Sequence, residues 1–483
     1  MTAASRPKAV QTRAKLGGRW RRRLQHAVVL AAAGAILSSV TMLVQPFHTI
    51  NRWFSDQLLD PDAPSPNIVV VGVDDDSLET YGRWSEWPRR LHAQAIDNMS
   101  KAGARAVGFD VVFAEATDDD EALAAAVERA GNVVLACAGI GPVSPKGTMP
   151  AFAGFLEPDA GLGESARSLG HVNVVPDPDG KVRTLPLVVL TPDGETYPAL
   201  SLAVLHTLFN IPLPANYERE NGDLHLLARD IPVDDSYGLR INFTNRDGGR
   251  SSISYRDVVS GDFDASLLKN KIVLVGMTAT GDLDAWPVPT SAVKVPGVIL
   301  HADAADTILR QRFLAEASAG ITLWTMLLLI GVSALVLPLF GTWYWTDIVK
   351  GTGLLGGLFV AYVVGGSLAA GRGYILNVLY PALLLLGLYI TNVLYMVVRE
   401  QSDKRLVKDL FGRYVSPQVS RELVSMASDG ELRLGGEERE VTVLFADIRN
   451  FTHLSEQMSP EGVVGMLNTY LPVMIEAVVE SGG

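Results

Sequence analysis

Ala27–Pro46, AVVLAAAGAILSSVTMLVQP, runs for 20 residues without a charge, directly after the basic cluster Arg19–Arg23. That is the length a helix needs to cross the hydrocarbon core of a bilayer. A cleaved signal peptide is the rival reading. The length of the apolar run and the lack of a small-x-small cleavage site after it favour an uncleaved anchor. Three further apolar stretches follow late in the chain, at Ile321–Phe340, Gly351–Ala370 and Tyr374–Val398. Their connections are short. Gly341–Lys350 carries Trp343, Tyr344 and Trp345, residues suited to the headgroup level, and Gly371–Gly373 is little more than a turn.

Charge orients these spans. The chain of 483 residues has a formal charge of −12, yet residues 1–25 hold eight Lys or Arg and no acid. A basic N-terminus stays cytoplasmic, and four spans return the chain to that side, where Arg399, Lys404, Arg405 and Lys408 follow the last one. Residues 47–318 then lie outside, with 22 basic and 38 acidic side chains. An asymmetry of this kind reads as a membrane orientation signal rather than a nucleic-acid surface. The single cysteine, Cys137, excludes an intrachain disulfide and a cysteine-rich metal site. In Gly353 and Gly357 the third span has a GxxxG pair, which chance packing explains about as well as dimerisation does.

The external region alternates apolar β-rich runs with helix-length patterns. Candidate strands are Asn67–Val73, Ala104–Phe113, Asn132–Ala138, Val182–Leu190, Gly238–Phe243 and Lys271–Met277; candidate helices are Arg90–Ala102, Asp119–Ala130, Tyr197–Phe209 and His301–Leu309. Near-continuous Val/Ile/Leu runs predict strands covered on both faces, hence an α/β layered domain. Asp74, Asp75 and Asp76 can be read as a cation site, but a turn with solvated carboxylates is the stronger reading. His301 is expected as a structural cap at a helix start rather than a ligand. No metal-spaced cluster and no glycine-rich phosphate loop stands out, so nothing external reads as catalytic.

Several of these stretches resemble the type-2 CHASE sensory domain. They are Phe109–Phe113; Gly170–Asn173 with Asp177–Gly180 and Arg183; Tyr255–Val258; Lys271–Gly276; and Pro296–Val298 with His301 and Ala302, preceded by Asp284 and Pro289. The resemblance covers roughly residues 45–315. It implies a sensor outside a bacterial cytoplasmic membrane, followed by three spans and a cytoplasmic output, and it names no stimulus.

Beyond the last span, Asp403, Val407, Leu410 and Tyr414 alternate four- and three-residue spacings, which suits a short coiled coil or a plain amphipathic connector equally. Gly412 and Pro417 are expected to end that helix. Val441–Phe445 has the pattern of a buried strand that delivers Asp447 to its end, where a carboxylate can meet a hard divalent cation. The turn Ile448–Thr452 follows, with backbone N–H groups suited to a triphosphate. A helix then starts with Ser459 as cap, Pro460 at its first position and Glu461 near its dipole's positive end, and Pro472 is expected to bend it.

Phe445, Asp447, Phe451 and Thr452, with Leu467, Asn468 and Tyr470, resemble the start of a class III nucleotidyl cyclase domain, and Phe411–Pro417 resembles the run that precedes such domains. The resemblance implies that Asp447 is the first of two metal-binding aspartates and that Ile448 offers its carbonyl oxygen to the metal. Arg449, Asn450, Phe451 and Thr452 would form the triphosphate turn. It implies two Mg²⁺ or Mn²⁺ ions and ATP as substrate, whose ribose 3′-hydroxyl attacks the α-phosphate to give cyclic AMP and pyrophosphate. It also implies a homodimer.

The expected organisation is therefore a basic cytoplasmic N-terminus (1–26), a first span (27–46) and an external α/β sensor (47–318). Spans at 321–340, 351–370 and 374–398, a cytoplasmic linker (399–440) and the start of an α+β cyclase domain (441–483) follow. The chain is expected to be a multi-pass protein of the bacterial cytoplasmic membrane with both termini inside, an unknown external ligand and no nucleic-acid partner. It reads as an adenylate cyclase, a phosphorus-oxygen lyase. As 43 residues from Val441 lack the family's second metal aspartate, the chain alone is expected not to turn over. A non-catalytic sensor with a cyclase stub is the alternative, and a diguanylate cyclase is disfavoured by Thr452 and the helix signature.

Overall fold

The computed structural model describes residues 8–59, 61–141, 148–214, 217–220, 222–226, 229–244, 250, 252–281, 284–340, 345–412 and 442–481. The chain divides into two compact units, Met1–Ser402 and Asp403–Gly483. In the first unit, a mainly parallel sheet is built from β1 (Ile68–Val73), β2 (Ala106–Phe109), β3 (Val133–Ile140), β4 (Gly154–Leu156), β5 (Ser168–His171), β6 (Ser252–Ser254) and β7 (Ile272–Met277). The spatial order is β6, β1, β7, β2, β3. Strand β5 lies parallel beside β3, and β4 pairs antiparallel with the end of β3. The register sets Val71 beside Val275, and Val275 beside Phe109.

Successive side chains of a strand point to opposite faces, and both faces are filled here. Val70, Leu274 and Val134 join a core with α6 (Leu200–Phe209) and α8 (Gly297–Arg310). Val71, Val273, Val275 and Leu135 join another with α4 (Arg89–Lys101), α5 (Asp120–Ala130) and α7 (Tyr255–Ser260). Gly170 on β5 sets one layer spacing, because a Cβ there would lie 2.7 Å from the Leu200 Cα. Gly170→Ala is expected to lower stability by about 1–3 kcal/mol, the usual range for overpacking, read as a shift in denaturant midpoint.

Three expected strands are shorter than their apolar runs; Gly238–Phe243 is a strand only over Gly238–Arg240. The second ends at Phe109 and leaves Asp110–Phe113 as loop. Val182–Leu190 splits into Thr184–Pro186 and Val188–Leu190, because Pro186 has no N–H to continue a ladder and the halves take different partners. The expected helix at Tyr197 begins at Leu200, after a short strand Thr196–Pro198.

Helices α1 (Lys8–Val44), α9 (Ala319–Val336), α10 (Trp345–Ala370) and α11 (Leu379–Gly412) carry the apolar stretches. Their buried residues, among them Leu30, Met326, Leu355 and Leu384, form one cluster. The first stretch is integral to it: a Cβ on Gly34 would meet Ile330 Cγ1 at 2.7 Å, and one on Gly387 would meet Leu37 Cδ2 at 2.5 Å. His26 also stacks on Tyr395 with 4.2 Å between centroids. The last stretch starts later than its hydropathy, since Tyr374–Ile375 pairs with Ala315–Glu316 before α11 begins. Helix α11 is described as far as Gly412; Tyr414, Pro417 and the linker to residue 441, where the helix was expected to end, lie outside the described residues, as do Trp343 and Tyr344. A Cβ on Gly353 or Gly357 would meet nothing within 4 Å, so neither packs within this chain.

Among the described residues five helices are long and apolar enough to cross a membrane: those carrying the four expected spans, and α13 (Pro460–Glu480). It belongs to the second unit, carries Glu461, Glu476 and Glu480, and has no buried residue among those described.

Candidate functional site

At the C-terminal end, the expected strand is absent: residues 442–448 are irregular, and Val443, Leu444 and Phe445 are exposed, the last at 92%. A lone β-run has no ladder to satisfy its backbone, and no strand among the described residues of that unit pairs with it. Asp447 is exposed, and its Oδ1 accepts from the Ile448 N–H at 2.9 Å. Asn450 has a left-handed backbone (φ 64) and leads into α12 (Phe451–Glu456). Phe451 and Thr452 therefore begin a helix instead of continuing an open turn. The Phe451 N–H donates to the Ile448 carbonyl at 3.1 Å, so one N–H expected for a triphosphate and the carbonyl expected for a metal face each other. Asp447 to Thr452 thus sit together in one short reversal. The next helix is capped as its sequence requires, with Gly462 N–H donating to Ser459 Oγ at 3.2 Å.

A second polar centre lies where the sensor domain meets the apolar helices. Helix α2 (His48–Asp56) follows the first span and presents Arg52 and Asp56 to the sensor. The Arg183 guanidinium, 1% exposed, donates to Asp56 at 2.7 Å, Asp177 at 3.0 Å and Asp179 at 2.8 Å, and Arg52 donates to Asp177 at 2.5 Å. For Asp177, burial pushes the carboxyl pKa up, but the hydrogen bonds and charges of Arg183 and Arg52 outweigh it and hold it below the usual value. The Arg183 hydrogen bond lowers that of Asp179. On the far side of the sensor core, Arg250 bridges Asp303 at 3.2 Å and Asp306 at 2.9 Å. Complete burial pushes Asp303 up to about 6 despite the Arg250 charge and the Thr244 hydrogen bonds.

His301 is not a cap. It lies inside α8, fully buried, with burial lowering its pKa to about 4, and the likewise buried His171 falls to about 3 through burial and the nearby His301. The helix start is at Gly297, packed so closely on Asp284 that a Cβ would lie 2.2 Å from its Oδ2. Asp74 is likewise more than a solvated turn: it caps α3 (Asp75–Tyr81), accepting from the Ser77 N–H at 2.9 Å and the Ser254 hydroxyl at 2.9 Å. Among the described residues no group of three or more His, Cys, Asp or Glu is gathered as a metal site.

Asp177, Asp179 and Arg183 were legible as a motif, but their partners were not. Arg52 and Asp56 carry the signal only as charges just after a span, 121 and more positions upstream of Asp177.

The comparisons with known proteins agree with this layout. The CHASE2 domain model matches residues 28–338, and the adenylate and guanylate cyclase catalytic domain model matches residues 436–480. The uncharacterized proteins Rv1318c and Rv1320c of Mycobacterium tuberculosis are each 38% identical over 76 residues, 16% of this chain and 13% of theirs. Rv1319c of the same organism is 34% identical over 76 residues, 16% of this chain and 14% of its own length. The chain thus spans about an eighth of the length of the curated relatives it matches. No solved structure matches it. With its sensor and both membrane-flanking helices inside the first of these models, the chain belongs to the CHASE2 family, and a short region near its C-terminal end is matched by the cyclase catalytic domain model.

Proposed function

We propose that this receptor cyclase senses a ligand outside the bacterial cytoplasmic membrane and converts ATP into 3′,5′-cyclic AMP and pyrophosphate, with both termini in the cytoplasm and two copies acting together. The observation that carries the reading is covalent order. A sensor matched by the CHASE2 model, a membrane bundle, and a segment matched by the cyclase model follow one another in a single chain. Helix α11 runs unbroken from a bilayer-length apolar stretch into the charged connector, a direct mechanical link between the two functions.

Asp447 and Ile448 offer a carboxylate and a carbonyl oxygen, the donor kind that Mg²⁺ or Mn²⁺ takes. The donor chemistry fits one corner of such a site, and Asp447 with the Ile448 carbonyl would hold the ion there. When bound, the ion supplies charge stabilisation to the phosphates. Asn450 sets the reversal that brings the Phe451 and Thr452 backbone near Asp447, and Arg449 adds a cation for a triphosphate. A second reading, a non-catalytic sensor whose C-terminal segment engages a partner, is favoured by the apolar α13, which has no buried residue among those described.

The test is nucleotide cyclisation by membranes containing the protein, supplied with Mn²⁺ and ATP or GTP. Asp447→Ala is expected to lower the rate about a hundredfold or more, the scale for losing one electrostatic contact to a reacting phosphate. Cyclic GMP from GTP, or an unaffected Asp447→Ala rate, would overturn the assignment.

A further inference from the structure

Where α10 ends beside the start of α9, the exposed surface of the apolar helices carries a groove of about 410 Å³. Ile321, Gly365, Leu368 and Ala369 line it, with Arg372 and Tyr374 just past the last turn of α10. Gly365 keeps the groove open, since a Cβ there would meet nothing within 4 Å. The volume is that of about fourteen water molecules, yet Arg372 is the one charged residue of the wall, so water finds few partners in it. A second cavity, of about 460 Å³, also takes Arg372 into its wall, together with Asp62, Asn242, Gln311 and Arg312. Arg372 therefore stands between an apolar groove and a polar cavity.

The surrounding charges leave Arg372 in excess. Its Nη1 donates to the Leu368 carbonyl at 3.2 Å, and among the described residues no carboxylate forms an ion pair with it. Asp62 is bound to Arg312 instead, and beyond the wall Arg250 and Arg310 face Asp303 and Asp306, one cation for each carboxylate. Glu316 is held by Arg240. An apolar groove on a spanning helix, closed by an exposed cation at the helix end, matches a lipid in both halves: hydrocarbon lies along the helices and the phosphate meets the guanidinium. Tyr374, 57% exposed, supplies the aromatic ring usual at headgroup level. A second copy of the chain fits this face less well. A two-fold axis along the membrane normal would bring two Arg372 side chains to one level with no carboxylate between them.

We propose that the groove is a lipid site, taking one acyl chain of an anionic phospholipid from the surrounding bilayer, with the phosphate beside Arg372 and the headgroup directed to the polar cavity. The occupant touches more than bare helix. Tyr374 begins the strand that pairs with Ala315–Glu316, the last strand before α9. A bound lipid therefore braces the joint at which the sensor meets α9 and α10.

The test uses the full chain in a neutral detergent, with native mass spectrometry to count retained lipid and no nucleotide present, so it stands or falls apart from the cyclase reading. Phosphatidylglycerol is expected to bind saturably, one copy per chain, and more tightly than phosphatidylcholine with the same acyl chains. Arg372→Gln should reduce that preference about fivefold or more, the scale of one Arg beside an anionic headgroup, and Arg372→Lys should keep most of it. Gly365→Leu places a side chain in the open groove and should abolish the tight copy for both headgroups. Gly353→Leu, on the same helix with equally open surroundings but outside the groove, should not. Both leucines favour the helix over glycine, so a lost fold does not imitate a lost lipid. Equal binding of the two lipids, an unchanged preference in Arg372→Gln, or an unchanged tight copy in Gly365→Leu overturns the proposal. So does full displacement of the lipid by soluble glycerol phosphate, or a dimer that excludes the lipid and is lost in Gly365→Leu.

Discussion

Arg183→Ala is expected to destabilise the sensor domain by about 3–5 kcal/mol, the usual cost of removing one partner from a buried ion pair. The side chain is 1% exposed and faces Asp56, Asp177 and Asp179, whose own side chains are 0%, 10% and 14% exposed. Without the guanidinium, three carboxylates lose the hydrogen-bond donor they share, and the one ion pair left among them is that of Arg52 with Asp177. Both the desolvation of Asp56 and the repulsion among like charges then weigh on the folded state. Arg183→Lys keeps a charge but loses the planar fork that reaches Asp56 and Asp179 together, so its loss should be smaller and still clear. Denaturant unfolding of the purified chain in detergent measures both. Because α2 is fixed to the sensor by Asp56 and Arg52, protease cleavage near residues 48–56 should also rise in Arg183→Ala. A loss below about 1 kcal/mol would mean that the network is solvated like a surface pair.

That network marks the limit of what the sequence made legible. Periodicity carries the sheet well: Val/Ile runs at Ile68–Val73 and Ile272–Met277 are adjacent strands buried on both faces, and burial of both faces is what such runs encode. Spans were legible from length and charge for the same reason, that hydrocarbon thickness is a fixed ruler. Contacts between distant segments follow no such ruler. Nothing local to Asp56 announces Arg183, and His301 looks like an exposed cap until the helix is seen to begin at Gly297 and to turn that ring into the core. Residues 441–445 show the converse error. Their strand pattern is sound, but a strand is stable only beside another, and the described residues of that unit supply none. The carboxylate, carbonyl and turn residues expected at 447–452 do fall together, because adjacency in sequence guarantees it.

Acidification from pH 7 to pH 5 should cost the sensor domain about 5 kcal/mol, comparable with the whole stability of many domains. His92, His171 and His301 are buried, and burial lowers their pKa values to about 3, 3 and 4. Arg89 adds to the effect at His92, whose Nδ1 lies 2.7 Å from the Tyr255 hydroxyl. For a histidine whose folded pKa is depressed, the unfolded chain binds the extra proton. The stability it contributes is complete above pH 6.5 and is lost as pH falls toward the folded value. At pH 5 that loss is about 2 kcal/mol for each of the three. Asp303 opposes it. Its folded pKa of about 6 lies above the unfolded value, so the folded state binds the proton more tightly between pH 4 and 6. Falling pH therefore gains about 1 kcal/mol from Asp303, too little to offset three histidines. Denaturant midpoints between pH 7 and 5 should show the net decline, and Asp303→Asn should make it steeper by removing the opposing group. His301→Leu, which fills the same buried space without a titrating ring, should make it shallower by about one third. A midpoint that is flat across this range would mean that the three rings reach water or a proton acceptor in the folded state.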